Sequence, residues 1–405
     1  MNAGAAPLRL GVLGLGRAFT LMLPTFSRDP RVRLVAAFDP RASATEAFAR
    51  EFAGRACRSP EEVCADPQVE WVYVATPHQL RVDHVRLAAA HGKHVLVEKP
   101  MALGLDDCSR MMDACARAGT RLLVGHSHSF NAPVLQARRM VEGGRFGAVR
   151  AIHAMNFTDF LYRPRRPEEL DTARGGGVVF SQAAHQVDVV RLLGGGLVDS
   201  VFARTGRWDP ARPTEGAYSA LLSFRSGAFA SLSYNGHGYY DSDAQMDGIG
   251  EMGRPKPPGA HQQTRRKLRE ATDEAEEARL KAERNFGGSA WVPDAGSPPT
   301  AFQHFGPVLV CCDAGDLRLT PFGVEVHDQE GVRMEALPVP AVPRSEVIDE
   351  LWAVAREGRV PLHDGAWSRA TVEVCLAILE SGRGGGNIIL RHQAELPPGA
   401  IPTPP

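Results

Sequence analysis

Cysteine is scarce in this sequence and scattered where it occurs. The 405 residues hold seven, at Cys57, Cys64, Cys108, Cys115, Cys311, Cys312 and Cys375. The number is odd and no zinc-type C-x-x-C pair occurs. No apolar run is long enough to span a bilayer. The start, Met1-Asn2-Ala3-Gly4-Ala5-Ala6-Pro7, has no basic segment with an apolar core behind it, so it does not read as a secretory signal. Charge of one sign is missing too: 46 Lys and Arg against 47 Asp and Glu leave a net charge of −1. With no strong basic excess, nucleic acid and membrane surfaces are poor candidate partners. No internal repeat is visible. These absences leave a globular, cytoplasmic protein of about two domains, with thiols kept reduced.

What is present is a strict alternation of strand and helix over the first third. Strands at 8–13, 33–38, 70–75, 95–97 and 121–124 are separated by helical spacings, one running to about 26 behind the first strand and others at 42–52, 81–91 and 105–118. Such alternation marks βαβ units and a parallel sheet. The first strand runs into Gly14-Leu15-Gly16-Arg17-Ala18-Phe19. Gly14 permits a tight turn, and Gly16 lets a pyrophosphate approach a helix N-terminus. Gly14, Gly16, Arg17, Ala18 and Phe19 are therefore candidate cofactor contacts, although Phe19 stands where the dinucleotide fingerprint has its third glycine and reads better as packing. Asp39, at the end of the second strand, is placed to accept hydrogen bonds from an adenosine ribose diol. Its charge favours NAD over NADP, while Arg41 keeps NADP open by offering a guanidinium to a 2′-phosphate.

Ligands of open parallel sheets sit outside the carboxyl ends of strands. Two such ends carry polar groups: Thr76-Pro77-His78, and the abrupt Glu98-Lys99-Pro100 that closes the apolar run Val95-Leu96-Val97. Proline cannot donate to a ladder, so the strand stops there. A carboxylate and an ammonium at that point are placed for chemistry; a surface ion pair is the plainer reading.

The middle of the chain holds a second constellation. In Gly125-His126-Ser127-His128, the two histidines share one face if the segment is extended. A metal there needs a third ligand, and none is near in sequence, so His128 reads as a crevice lining. The loop Tyr162-Arg163-Pro164-Arg165-Arg166 is stiff and basic, and guanidinium forks suit carboxylates. Then comes Gly175-Gly176-Gly177, followed by a helix with Ser181 as N-cap. Ser181, His185 and Asp188 fall on one helical face there. A His and an Asp on a buried stripe suit proton transfer to and from an alcohol; a satisfied core pair is the alternative. Farther on, 201–234 alternates like successive strands, and 302–310 and 317–326 read as two more. Residues 261–286 read as one charged helix with a Glu277–Lys281 pair, a solvated arm without a coiled-coil seam. Residues 397–405 form a proline-rich tail.

Gly14-Leu15-Gly16, Ala75-Thr76-Pro77, Gly92-Lys93-His94-Val95-Leu96-Val97-Glu98-Lys99-Pro100, Phe130-Asn131-Ala132-Pro133 and Gly175-Gly176-Gly177 through Asp188 occur in one order. That ordered set resembles the Gfo/Idh/MocA family of nicotinamide-dependent oxidoreductases. The resemblance implies an α/β protein: an N-terminal Rossmann domain (1–127) with a doubly wound parallel sheet, and a C-terminal α/β domain (128–395) with an open, mostly antiparallel sheet. A 244–298 insertion and a 396–405 tail complete the expected layout. It implies Lys99 as the hydroxyl-binding residue, His185 as the acid/base, Glu98 as an orienting group and a cis Lys99–Pro100 bond. It also implies a homo-oligomer, a dimer or a tetramer. Two departures stand out: Ser181 replaces an aspartate, leaving Asp188 or a water to orient His185, and Arg81 replaces a histidine. Narrower strings, such as Asp159-Phe160-Leu161-Tyr162-Arg163-Pro164-Arg165, are similar to the phthalate 4,5-cis-dihydrodiol dehydrogenase branch. That branch implies an anionic cyclic diol, with Arg163, Arg165, Arg166, Tyr162, Ser181 and His128 toward the substrate. A sugar or inositol dehydrogenase, or a nicotinamide-binding sensor without catalysis, are the other readings.

Overall fold

The computed structural model describes residues 5–271, 273–292 and 299–397. The expected proline-rich tail falls, from 398 onward, outside them. The chain divides into two compact units, each assembled from three stretches. The first comprises Met1–Gly125, Arg279–Pro298 and Val342–Arg369; the second comprises His126–Ala278, Pro299–Ala341 and Ala370–Pro405.

The first unit is built on β1 (Leu8–Leu13), α1 (Arg17–Arg28), β2 (Val32–Phe38), α2 (Ala42–Phe52), β3 (Arg55–Ala56), α3 (Pro60–Cys64), β4 (Trp71–Val74), α4 (Arg81–Ala90), β5 (His94–Glu98), α5 (Leu105–Ala118) and β6 (Leu122–Gly125). Its six strands lie in the order β3-β2-β1-β4-β5-β6, all parallel. Trp71, Val72, Tyr73 and Val74 of β4 and Val95, Leu96 and Val97 of β5 are all buried. Strands covered on both faces need such continuous apolar runs, which is why these short segments pair as central strands. Helix α5 shows the complementary rule. Cys108, Met111 and Cys115 recur on one stripe and are buried, Asp106 and Asp107 sit in the first turn, and Gly119 closes it in the left-handed region.

The second unit holds α6 (Ala132–Glu142), β7 (Val149–Phe157), α7 (Ala184–Gly194), β8 (Val198–Gly206), β9 (Ala217–Phe224), β10 (Phe229–Asn235), the two-residue strands β11 (Ile249–Gly250) and β12 (Arg254–Pro255), and α8 (Ala260–Leu268). Helix α9 (Glu274–Glu283) runs through the point where the two units divide. After it come β13 (Val308–Cys312), β14 (Gly315–Thr320), β15 (Gly323–Asp328) and β16 (Gly331–Ala336). Then α10 (Ser345–Arg356) lies in the first unit, and α11 (Gly365–Gly384) and β17 (Ile388–Ile389) complete the order. The nine-stranded sheet runs β16-β15-β14-β13-β7-β10-β9-β8-β17, and only its β7–β10 pair is parallel. The fold class is thus α/β, with a Rossmann sheet and a mostly antiparallel second sheet. The second sheet alternates buried and open side chains. On its open face Phe202 lies opposite Leu221, which lies opposite Ser231, with Phe229 one pair along.

Five local expectations change. The strand expected at 302–310 begins only at Val308, and the one at 317–326 is two strands folded back at Pro321-Phe322. The 261–286 stretch is two helices, not one. Glu277 is not an exposed partner for Lys281: it is buried, and both of its oxygens accept from Arg212 at 2.8 and 2.9 Å. Glu277 also accepts the Arg165 backbone N–H at 2.6 Å. Nor is the arm wholly solvated. Phe286 is fully buried, with its ring edge-on to Phe19 at 5.3 Å and close to Trp291 at 4.9 Å. A helix rich in Glu, Lys and Arg hides such contacts, because its few apolar residues show no stripe.

Candidate active site

Strand β1 ends in the left-handed Gly14 (φ +93), whose missing Cβ would lie 3.0 Å from the Ala75 carbonyl oxygen. Only glycine turns the chain there and still lets β1 lie against β4. Gly16 then sits at the N-cap of α1 with no side chain capping the helix, and a Cβ on it would meet nothing within 4 Å. The first amides of α1 are therefore approachable by an anion. Phe19 is fully buried, in the packing role its bulk suggests. Arg17 is exposed, and Ala18 is half-buried beside it. Asp39 is buried at the end of β2 and accepts the Leu15 N–H at 2.7 Å, joining the acid to the glycine loop. This uncapped, open helix end with an acid at the next strand fits a dinucleotide.

Lys99 follows β5 directly and is half-buried; the Lys99–Pro100 bond is cis. Below it lies a buried polar cluster. Arg81, only 4% exposed, donates from Nε to the Thr76 carbonyl at 3.0 Å and from one terminal nitrogen to the carbonyls of Glu98, at 2.8 Å, and Pro100. One guanidinium thus ties the end of β4 to both sides of Lys99. Burial pulls its pKa down to about 10, with the Glu98 carboxylate opposing, so it remains a cation at neutral pH. The Tyr73 hydroxyl donates to Glu98 Oε1 at 2.5 Å. Burial, then the Glu98 charge, pushes the Tyr73 pKa well up, which keeps that hydroxyl a donor. Thr76 Oγ1 lies 3.0 Å from His84 Nδ1, and His78 opens a short 3₁₀ turn at the half-buried rim after Pro77. Tyr73 and His84 went unnoticed in the sequence. The available signal was a phenol inside an apolar run, which needs a partner once buried.

In the second unit the histidine segment is a turn, not an extended stretch. His126 and His128 are both buried, and they do not share a strand face. His126 Nδ1 lies 3.7 Å from an Asp188 oxygen, and His128 Nε2 lies 3.4 Å from Glu251. His185, 7% exposed, packs edge-on to His128 at 4.5 Å and against Phe305 at 5.0 Å. Asp188 accepts from Ser129 and from Thr371, the latter at 3.0 Å. Ser181 is not an N-cap. It lies inside a π-helical turn (Val179–Ala183) that leads into α7, and its hydroxyl donates to the Gly177 carbonyl. The wider turn carries one extra residue, so Ser181 leaves the stripe that an unbroken α-helix would give it with His185 and Asp188.

The basic loop is internally braced. Arg163 donates to Asp159 at 3.0 Å, Arg165 stacks 3.6 Å over the Phe160 ring, and Arg166 lies 3.2 and 3.5 Å from Glu168 and Glu169. Tyr162 donates to Asp209 at 3.0 Å, and Arg265 of α8 stacks 3.4 Å from its ring. These two residues border a cavity of about 680 Å³, together with Arg212, Tyr239, His261 and Glu277. Arg265 was not foreseen, because a basic run on a charged helix reads as solvated. Among the described residues no group of three or more His, Cys, Asp or Glu is arranged to hold a metal.

The model of the oxidoreductase family with an NAD-binding Rossmann fold matches residues 8–126, and that of the GFO/IDH/MocA C-terminal domain matches residues 134–254. The chain belongs to the Gfo/Idh/MocA family. It is an NAD-binding oxidoreductase. It is 46% identical over 379 residues to the 1-carboxy-3-chloro-3,4-dihydroxycyclohexa-1,5-diene dehydrogenase of Comamonas testosteroni, covering 93% of this chain and 95% of that one. A myo-inositol 2-dehydrogenase of Thermotoga maritima is 27% identical over 61% of this chain and 74% of its own length. A solved chain from Bordetella bronchiseptica RB50 superposes with a TM-score of 0.88 at 39% identity, covering 95% of this chain and 100% of that one. Among the described residues no helix is long and apolar enough to cross a membrane.

Within this Gfo/Idh/MocA member the Arg81 brace has a measurable weight. Arg81→Met strips three carbonyls, two of them in buried contacts, of their donor at roughly 1–3 kcal/mol each. Relief of the buried charge offsets part of that. Urea unfolding should show a net loss of about 2–4 kcal/mol. A loss below about 0.5 kcal/mol, the scale of an ordinary surface change, would show that the brace carries no weight.

Proposed function

We propose that this protein oxidises a secondary alcohol of a carboxylated cyclic cis-dihydrodiol, of the 4,5-dihydro-4,5-dihydroxyphthalate type, to the corresponding catechol. The observation that carries the reading is the 46% identity, over nearly the whole length, to a dehydrogenase whose name describes a carboxylated dihydroxycyclohexadiene. NAD, held by Gly14, Gly16, the first turn of α1 and Asp39, supplies the hydride acceptor. Lys99 holds the substrate hydroxyl and stabilises negative charge on its oxygen as the carbinol hydrogen leaves. His185 accepts the hydroxyl proton, directly or through a water. Glu98, fixed by Tyr73, orients the Lys99 segment, and Asp188 steadies the core beneath His185. The ketone so formed loses its ring proton and becomes aromatic, which draws the oxidation forward. Arg163 and Arg166 keep side chains 42% and 40% exposed, so their forks have N–H groups to offer a substrate carboxylate. Arg165, Tyr162, His128 and Ser181 complete the proposed substrate contacts.

The inositol dehydrogenase relative supports a second reading, with the diol on a cyclitol or sugar. Ser181, in place of the family's aspartate, motivates a third, a cofactor-binding sensor. One assay separates the three: purified protein with NAD, offered carboxylated cis-dihydrodiols, inositols and aldoses, with reduced nicotinamide followed by absorbance. The proposal expects turnover of the dihydrodiols at least about a hundredfold above the polyols, and a loss of about a thousandfold in kcat for Lys99→Met. Turnover of polyols alone would sink the dihydrodiol reading, and cofactor binding with no turnover would favour the sensor.

We also infer self-association through the open face of the second sheet, where Phe202, Leu221 and Phe229 are exposed on adjoining strands. Light scattering should give a dimer or a tetramer, and Leu221→Asp should shift it toward monomer. A monomeric parent protein contradicts the inference.

A further inference from the structure

The last turn of the arm belongs to the first unit and reaches the corner where Asp39 and Arg41 meet the glycine loop. The Phe286 N–H donates to Thr20 Oγ1 at 2.9 Å, and Thr20 in turn donates to the Gly16 carbonyl at 2.9 Å. Gly287 follows at φ +72, packed so closely on α2 that a Cβ would fall 2.7 Å from Ala44 Cα. The Phe286 carbonyl points at Arg41, whose nearer terminal nitrogen donates to it at 3.3 Å. The other terminal nitrogen donates to the Leu15 carbonyl at 2.8 Å and to Asp39 Oδ2 at 3.3 Å, and Nε donates to Asp39 Oδ1 at 3.0 Å. Four of the five N–H groups of a guanidinium are thereby committed.

Arg41 is the residue whose guanidinium, by its place two residues after Asp39, keeps a 2′-phosphate acceptable there. We propose that the Asn285–Gly287 turn makes the enzyme NAD-selective by holding Arg41 in a brace between Asp39 and the carbonyls of Leu15 and Phe286. Braced in this way, the guanidinium presents no free fork to a phosphate. A dianionic 2′-phosphate then meets a carboxylate with no cation released to pair with it. The side chain holding the turn down is Phe286, buried against Phe19 and Phe52. The Leu15 and Asp39 contacts are local to the glycine loop. The Phe286 contact comes from 245 residues farther along the chain, so it is the one the arm supplies. The inference concerns cofactor choice and stands apart from the identity of the diol.

The test is calorimetric binding of NAD and NADP to the intact protein, with no substrate present. The parent protein should bind NAD at least about tenfold more tightly than NADP. Phe286→Ala and Gly287→Ala, each confirmed folded by its melting curve, release the turn and should tighten NADP relative to NAD by about fivefold or more. Adding Arg41→Ala to either variant should remove that gain, since the freed guanidinium is its source. Arg41→Ala alone should weaken the two cofactors alike. A selective loss of NADP in Arg41→Ala alone would overturn the proposal, because the braced arginine would then already serve a phosphate. A parent protein that prefers NADP, or folded arm variants with an unchanged ratio, would overturn it as well. Arg41→Ala leaves the aromatic packing of Phe286 on Phe19 and Phe52 in place, so its outcome decides the matter if neither arm variant folds.

Discussion

A single buried guanidinium fixes the geometry on which the rest of the cofactor unit depends. Arg81 reaches the carbonyl that ends β4 and the two carbonyls on either side of Lys99. Strand ends in a parallel sheet have carbonyls that the ladder no longer satisfies, and here those of Thr76 and Pro100 meet Arg81 in buried contacts and that of Glu98 in a half-buried one. A cation with several N–H groups in one plane serves all three at once. The burial of that charge is costly, and the nearby Glu98 carboxylate, itself held by Tyr73, lowers the cost. The arrangement spends an arginine and a carboxylate on the position of one lysine.

The second unit solves a similar problem by other means. Asp188 is fully buried and is satisfied by hydroxyls of Ser129 and Thr371. Arg191, one turn on, is buried as well and donates to the same Thr371 at 2.7 Å. Burial pulls the Arg191 pKa to about 10, against the Asp188 charge. This network anchors α7 in its core, and His185 stands on that anchored helix between the rings of His128 and Phe305. A side chain held between rings has its orientation fixed before a substrate arrives, which the general-base role proposed for His185 asks of it.

How far the sequence foretold this differs by element. The Rossmann unit was legible because buried parallel strands are short, apolar and punctuated: β1, α2 and α5 fall on the expected residues, and Asp39 meets the glycine loop through Leu15. The position of Lys99 at a strand end was legible for the same reason. Ser181 was misread because a π-helical turn adds a residue without leaving a mark in local spacing. The arm was misread for a different reason. Glu277 and Phe286 owe their burial to partners far off in the chain, Arg212 and Phe19, and helical periodicity carries no information about such partners. Tyr73 and Arg81 fall between these cases: each residue was visible, but the carbonyls and carboxylate that explain it come together only across neighbouring strands.

The central claim is that a carbinol hydrogen of a carboxylated cis-dihydrodiol passes as hydride to the nicotinamide while Lys99 holds the oxygen. The most direct measurement uses a dihydrodiol deuterated at the carbinol carbons, with mass analysis of the nicotinamide formed. The account predicts one deuterium transferred to the nicotinamide ring per catechol produced, and loss of that transfer in Lys99→Met. Catechol formed with both deuteriums released to water, or nicotinamide recovered unlabelled, would contradict it.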